Sequence, residues 1–210
     1  MTASPSPARR YGGKTLEQRR SERRGRLLDA GLELFGTQGY AHTTIEQICA
    51  AARLNPRYFY EEFATREALL QAVYERHVQA VAERVSAALA EAPREPRARL
   101  EVGLRAFLDG SLIDERAARI NYFEVVGVSP ELERCRRQVL ASYAELIAGQ
   151  IELLADAAPL ALSDRRLTGV ALGGAVDGLV IDWLSGGRAH DREAIVTTLV
   201  ELLEPVLGTG

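Results

Sequence analysis

Residues 43–63 read TTIEQICAAARLNPRYFYEEF, and the rest of the chain is best read outward from them. Thr43-Thr44-Ile45-Glu46 predicts a helix start, with Thr43 as the cap accepting from the Glu46 amide while the Glu46 side chain reaches back. The short helix that follows carries Ile45, Ile48 and Cys49 inward and ends near Ala51. Ala52-Arg53-Leu54 forms a three-residue connection. Asn55 then caps a third helix, and Pro56 takes its first position, where a missing N–H is harmless. Phe59 and Phe63, four residues apart, share one face and can pack on Ile45, Ile48 and Leu54. Asn55, Arg57, Tyr58 and Tyr60 are left for the other side. Two short helices joined by such a turn have the spacing of a DNA-reading helix-turn-helix.

Upstream, Leu27, Leu28, Gly31, Leu34 and Phe35 recur at helical spacing and predict a first helix that Gly36 and Gly39 end. Residues 1–15, with Pro5, Pro7, Gly12 and Gly13, read as a disordered basic arm. Downstream, Thr65 caps a fourth helix over about 66–90 that points Leu69, Leu70, Val73, His77, Val81, Val85 and Leu89 inward until Pro93 and Pro96 break it. Further helices are expected over 97–112, 115–126, 130–155, 164–185 and 191–206, started by Ser129-Pro130-Glu131 and Asp191-Arg192-Glu193 among others. No alternating strand pattern occurs. The expected fold is all-α, about nine helices, with a helix-turn-helix domain over 16–66 and a second helical domain over 67–210.

The net charge of −3 conceals a division along the 210 residues. Residues 1–66 hold eleven Lys/Arg against seven Asp/Glu, and residues 67–210 hold fifteen against twenty-two, so the halves carry +4 and −7. A basic end suits phosphate binding, and an acidic remainder limits non-specific adhesion. Arg9, Arg10, Lys14, Arg19 and Arg20 can extend along the minor groove or backbone of DNA, or form a solvated tail; both readings stand.

In the reading helix, Arg57 can pair bidentately with guanine, Tyr58 can touch a base or a thymine methyl, and Tyr60 can donate to a phosphate. Thr43 and Thr44 stand beside a helix N-terminus that favours phosphate, Asn55 and Pro56 open the reading helix, and Arg66 puts a cation at the start of the fourth helix. Leu34-Phe35, Gly39-Tyr40, Thr43-Thr44, Ile48, Leu54-Asn55, Phe59-Tyr60, Phe63 and Arg66-Glu67 together resemble the N-terminal signature of the tetracycline-repressor (TetR) family. The resemblance covers roughly residues 24–70. Arg53 and Arg57 stand where that family often has glycine, Glu62 where a phosphate-contacting histidine is frequent, and Arg66 for the usual lysine. Glu62 would repel a phosphate, so that contact is not carried over.

The resemblance implies a cytoplasmic, ligand-responsive transcription regulator, a repressor by family habit, that binds double-stranded operator DNA as a homodimer. In such proteins the last two helices pair with their copies, which maps the interface to Gly173, Val176, Val180, Trp183, Ile195, Leu199 and Leu202. Packing within one subunit is the alternative use of these residues. An unknown small-molecule effector would lie between the fourth and eighth helices. Phe107, Tyr122, Phe123, Tyr143 and Trp183 are its candidate walls, and His77, Arg119, Glu124 and Asp177 its polar anchors, unless these are plain core and solvated charges.

Cys49 and Cys135 belong to no CxxC or Cys/His cluster, so neither a disulfide framework nor a zinc site is expected. Met1–Lys14 lacks the apolar run of a secretory signal, and Asp177 and Asp182 interrupt the most apolar stretch, 169–184, so no membrane partner is expected. His42, His77 and His190 fit no metal motif, and the fingerprints of hydrolases, metalloproteases, P-loops and dinucleotide sites are missing. No catalytic residue, metal or cofactor is therefore assigned. The rival readings are a helical ligand-binding or interaction module without DNA function and, behind it, a helical enzyme.

Overall fold

Capping chemistry sets most of the helix boundaries. The computed structural model describes residues 15–155, 164–187 and 191–203, and every regular element among them is helical. Nine α-helices follow in order: α1 Leu16–Thr37, α2 Ile45–Ala52, α3 Pro56–Glu62, α4 Arg66–Glu91, α5 Pro96–Leu112, α6 Glu115–Arg119, α7 Pro130–Ala155, α8 Arg165–Ser185 and α9 Arg192–Leu203. A single π-helical turn, Ile120–Glu124, continues α6, with the Val125 amide donating to the Ile120 carbonyl. Asn55 caps α3 by accepting from the Arg57 amide at 3.0 Å, Ser129 caps α7 at the Leu132 amide, and Asp191 caps α9 at the Ala194 amide.

Two expected boundaries move. Thr15 and Gln18 form a capping box that opens α1, a Thr-x-x-Gln signal present in the sequence but passed over. At α2 the box is Thr44 with Gln47, one residue later than Thr43 with Glu46. Thr43 is fully buried, its hydroxyl donating to the Gly39 carbonyl at 2.8 Å and accepting from the Gln38 side chain, so it is unavailable as the cap. Gly36 lies inside α1, and Gly39, at φ 91°, makes the turn after it.

The chain separates into two compact units, residues 1–73 and 74–210, with the division inside α4. In the first, Leu27, Phe35, Ile48, Phe59, Leu69 and Leu70 are completely buried and lock α1, α2, α3 and the start of α4 together. In the second, α5, α8 and α9 close around Leu108, Val176, Val180, Ile195 and Leu199. Val81, Val85 and Leu89 of α4 form a neighbouring cluster with Phe107 and Leu146. Gly169 brings α8 against α7 so closely that an added Cβ would collide with the Ala144 carbonyl.

The turn between α2 and α3 is made by an arginine. Arg53 has φ 51° and ψ 48°, the only left-handed non-glycine among the described residues, and its carbonyl accepts from the Arg26 guanidinium at 2.8 Å. A side chain is disfavoured there by about 1–2 kcal/mol, which exceeds the added backbone entropy that glycine loses on folding. Arg53→Gly is expected to stabilise the chain by about 0.5–1 kcal/mol. Chemical denaturation checks this; an unchanged or lower midpoint would rule out strain at Arg53.

Candidate nucleic-acid interface and effector cavity

The exposed side of α3 is a compact polar and aromatic surface. Because Phe59 (0% exposed) and Phe63 face the core, helical geometry turns Arg57, Tyr58 and Tyr60 outward, the Arg57 side chain 82% exposed and Tyr60 60% exposed. Arg57 pairs along the helix with Glu61 at 3.0 Å. An exposed i,i+4 pair contributes only about 0.3–0.5 kcal/mol, so a stronger guanidinium acceptor can displace Glu61. The Arg23 guanidinium lies 4.7 Å from the centre of the Tyr58 ring and so borders the same surface. Thr44, Asn55 and Pro56 are also exposed, with Thr44 and Asn55 holding the N-termini of α2 and α3.

Three polar residues take structural positions instead. Thr43, expected beside the DNA, is buried in the chain and its hydroxyl is engaged by Gly39 and Gln38. Arg66 donates to the Thr43 carbonyl and stacks over the Tyr40 ring at 4.2 Å, so its guanidinium braces the turn before α2. Glu62, only 2% exposed at its side chain, accepts from Arg20 at 2.9 Å and lies 4.0 Å from Arg24. Where a phosphate contact would be repelled, the carboxylate thus clips α3 to α1. Of the basic arm, Arg9, Arg10 and Lys14 fall outside the described residues, and Arg20 is engaged by Glu62.

The second unit contains a cavity of about 590 Å³ between α4, α5, α7 and α8, lined mainly by apolar groups including Leu100, Leu104, Phe107, Leu140, Tyr143 and Val176. Its volume lies within the range of about 300–1,000 Å³ usual for small-molecule sites. Across Phe107, Leu140, Tyr143 and Asp177 it adjoins a polar void of about 50 Å³ that His77, Ser111, Asn121 and Tyr122 help to line. Of the expected ligand residues, Phe107, Tyr143 and Asp177 border both spaces, and His77 and Tyr122 the smaller one. Tyr122 arrives there on the π-helical turn, a distortion frequent at functional sites.

The other four expected ligand residues lie elsewhere. Arg119 and Glu124 pair with each other at 2.8 Å, Phe123 is 41% exposed, and Trp183 packs against the α5–α8–α9 core. Arg119, Phe123 and Glu124 are near Tyr122 in sequence, but successive helical positions face different directions. Tyr74 and Arg99, not among the expected residues, also line these spaces. Tyr74 lies three residues before His77 on the same face of α4, which was the available signal.

Burial dominates the electrostatics of the small void. It raises the Asp177 carboxyl above its ordinary value, against the pull of Arg136. It lowers His77, partly opposed by Asp114, and lifts the Tyr143 hydroxyl to about 12. Tyr122 is pushed well above its usual range by burial and then by Asp177, with Ser111 offsetting part of the effect.

The expected dimer residues also divide. Val176, Val180, Ile195 and Leu199 are buried within the subunit, Trp183 packs beside them, and Gly173 lines the large cavity; only Leu202 is openly exposed. The outward face of α8 is instead Leu167, Val170, Gly174, Gly178 and Ile181. By length and composition α8 could also cross a membrane, because its apolar character runs around the whole helix.

Residues 27–73 match the family described as bacterial regulatory proteins, tetR family. TcmR, an HTH-type transcriptional regulator of Streptomyces glaucescens, is 45% identical over 67 residues, covering 31% of this chain and 30% of that protein. The chain thus aligns with under a third of TcmR's length. FasR, an HTH-type transcriptional activator of Mycolicibacterium smegmatis, is 26% identical over 87% of this chain and 81% of its own. The solved structure of the regulator FadR from Bacillus subtilis in complex with stearoyl-CoA superimposes with a TM-score of 0.76 at 20% identity, over 85% of this chain and 96% of that one. That likeness concerns the fold.

Proposed function

The chain is a member of the tetR family of bacterial transcriptional regulators, and on that premise we propose that it binds operator DNA as a homodimer and releases it when a small molecule enters the second unit. The observation that carries this reading is the exposed Arg57–Tyr58–Tyr60 surface of α3, held outward by the buried Phe59. Arg57 and Tyr58 read bases, Tyr60 contacts phosphate, and the N-termini of α2 and α3, capped by Thr44 and Asn55, add backbone donors. The exposed small and apolar face of α8 supports pairing with a second copy, which would give the operator two-fold symmetry.

The cavity supports control by a ligand, and the stearoyl-CoA bound by Bacillus subtilis FadR supports an amphipathic one. Residues of α4 belong to both units, so a ligand that shifts this helix in each subunit changes the spacing of two reading heads that must meet grooves about 34–36 Å apart. Ligand and operator then oppose each other by one common factor, typically worth about 1–3 kcal/mol. We read the protein as a repressor; a reporter whose transcription rises when the chain is added would make it an activator, as FasR is named.

Fluorescence anisotropy with the chain's own upstream DNA tests the reading. Specific binding should weaken steeply with salt, because released phosphate counterions dominate the free energy. Arg57→Ala should cost about 1–3 kcal/mol on operator and relax base preference. Equal losses on operator and random DNA would remove its base-reading role, and no specific binding at all would favour the ligand-module alternative.

A further inference from the structure

Arg99 is a buried cation with neutral partners only. It lines the large cavity and is 8% exposed. Its Nε donates to the Gln150 side-chain oxygen at 2.8 Å, and its Nη1 to the Ala92 and Pro93 carbonyls at 3.2 and 3.4 Å. Among the described residues no carboxylate lies within ion-pair distance of it, and its Nη2 has no acceptor. A charge withdrawn from water is ordinarily paired, because neutral acceptors restore only part of the lost hydration. Gln150 also lines the cavity, and a guanidinium can only donate, so the Gln150 amide must turn its oxygen to Arg99. Its nitrogen is left beside Arg99 as a second donor.

The charge around the cavity has the same sign. Arg137 and Arg166, both exposed, line it as well, and Asp177 is the one carboxylate among the lining residues. Asp177 belongs to the other end, where it groups with Phe107 and Tyr143 beside the small void and with Arg136. Phe107 stands eight residues from Arg99 along α5 and Tyr143 seven from Gln150 along α7, which separates the two ends by about 10–12 Å of helix. Between them the walls are apolar, with Leu100, Leu104, Leu146 and Ile147. An ammonium at Arg99 would meet a like charge, and a hydroxyl would leave the guanidinium without a counter-ion.

We propose that Arg99 and Gln150 form the head-group site of the effector, and that the effector is a free carboxylic acid, bound as its anion, on an apolar chain directed toward Phe107 and Tyr143. This deepens the effector reading of the second unit and rests on it. One carboxylate oxygen accepts from Arg99 Nη2 and the other from Gln150 Nε2. The apolar chain gives affinity by leaving water, and the carboxylate gives specificity by supplying the counter-ion that Arg99 lacks.

Calorimetric titration of the full chain with decanoate, decanol, decylamine and decanoyl-CoA at neutral pH tests the assignment. Decanoate should bind about tenfold or more tighter than decanol, as a charge-assisted contact implies, and decylamine weaker than either. Gln150→Glu is nearly isosteric and can still accept from Arg99, but it fills the counter-ion position from within the protein. It should lose the preference for decanoate while decanol binding persists, and its circular dichroism melt should not fall below that of the unaltered chain. Arg99→Gln should lose the same preference. Decanol or decylamine binding as tightly as decanoate, a preference for decanoate that survives Gln150→Glu, or tight binding of decanoyl-CoA where decanoate fails would overturn the carboxylate site and leave the effector-cavity reading standing. Decanoate that binds through Arg99 without weakening operator binding would keep the site and remove the effector role. Binding by none of the four would overturn both.

Discussion

Gly178→Glu is expected to leave the chain monomeric and to reduce operator binding by about three orders of magnitude or more, to the level of non-specific DNA. Gly178 lies on the exposed face of α8, and an added Cβ there meets no atom of the subunit within 4 Å. Glutamate is a better helix former than glycine, so the subunit itself should gain up to about 1 kcal/mol in helix stability. A dimer related by two-fold symmetry would instead bring two glutamates close to one apolar seam, desolvating both without a counter-charge. One reading head alone then has only half the contacts. Gly149→Glu on α7, where an added Cβ also meets nothing within 4 Å, supplies the control and should leave the assembly unchanged. Sedimentation equilibrium reads the outcome, and a Gly178→Glu protein that remains dimeric would move the interface away from this face.

Phe59→Ala should unfold the first unit. Phe59 is completely buried and touches the Tyr60 and Phe63 rings at centroid distances of 5.5 and 6.0 Å, so truncation removes the centre of a small core. Loss of a buried phenylalanine costs about 3–5 kcal/mol, a large part of the 5–15 kcal/mol that stabilises an ordinary domain. Operator binding should vanish, and the melt should show a separate early transition with loss of part of the helical signal. Tyr60→Ala, on the exposed side of the same helix, removes only the edge contact with Phe59 and should cost no more than about 1.5 kcal/mol. Comparable melts for the two variants would mean that α3 is not oriented by its buried phenylalanine.

Reading the sequence alone went furthest where a few neighbouring residues settle the backbone. Asn55 with Pro56, Thr65, Ser129 with Pro130, and Asp191 each start a helix, since a cap hydrogen bond spans only two or three residues. The same reasoning slipped by one residue at α2, where both Thr43 and Thr44 precede a suitable partner. Only the burial of Thr43 under Gln38 and Gly39 selects between them. Adjacent Glu61 and Glu62 likewise look equivalent in sequence, yet one is paired loosely with Arg57 on the surface and the other is buried against Arg20 and Arg24 of α1.

The helix-turn-helix, the all-helical class and the outward set Arg57, Tyr58 and Tyr60 were determined by the sequence itself, because capping and helical period act over a few residues. The two faces of α8 were not. That helix is apolar on all sides, so its period does not reveal which stripe meets α5 and α9 and which stays outside. The grouping of His77, Tyr122, Tyr143 and Asp177 around one void was equally hidden, since these residues come from three α-helices and a π turn separated by tens of positions. Tertiary structure decided both, because the direction a side chain faces along a uniformly apolar helix is set by its packing partners rather than by its neighbours in sequence.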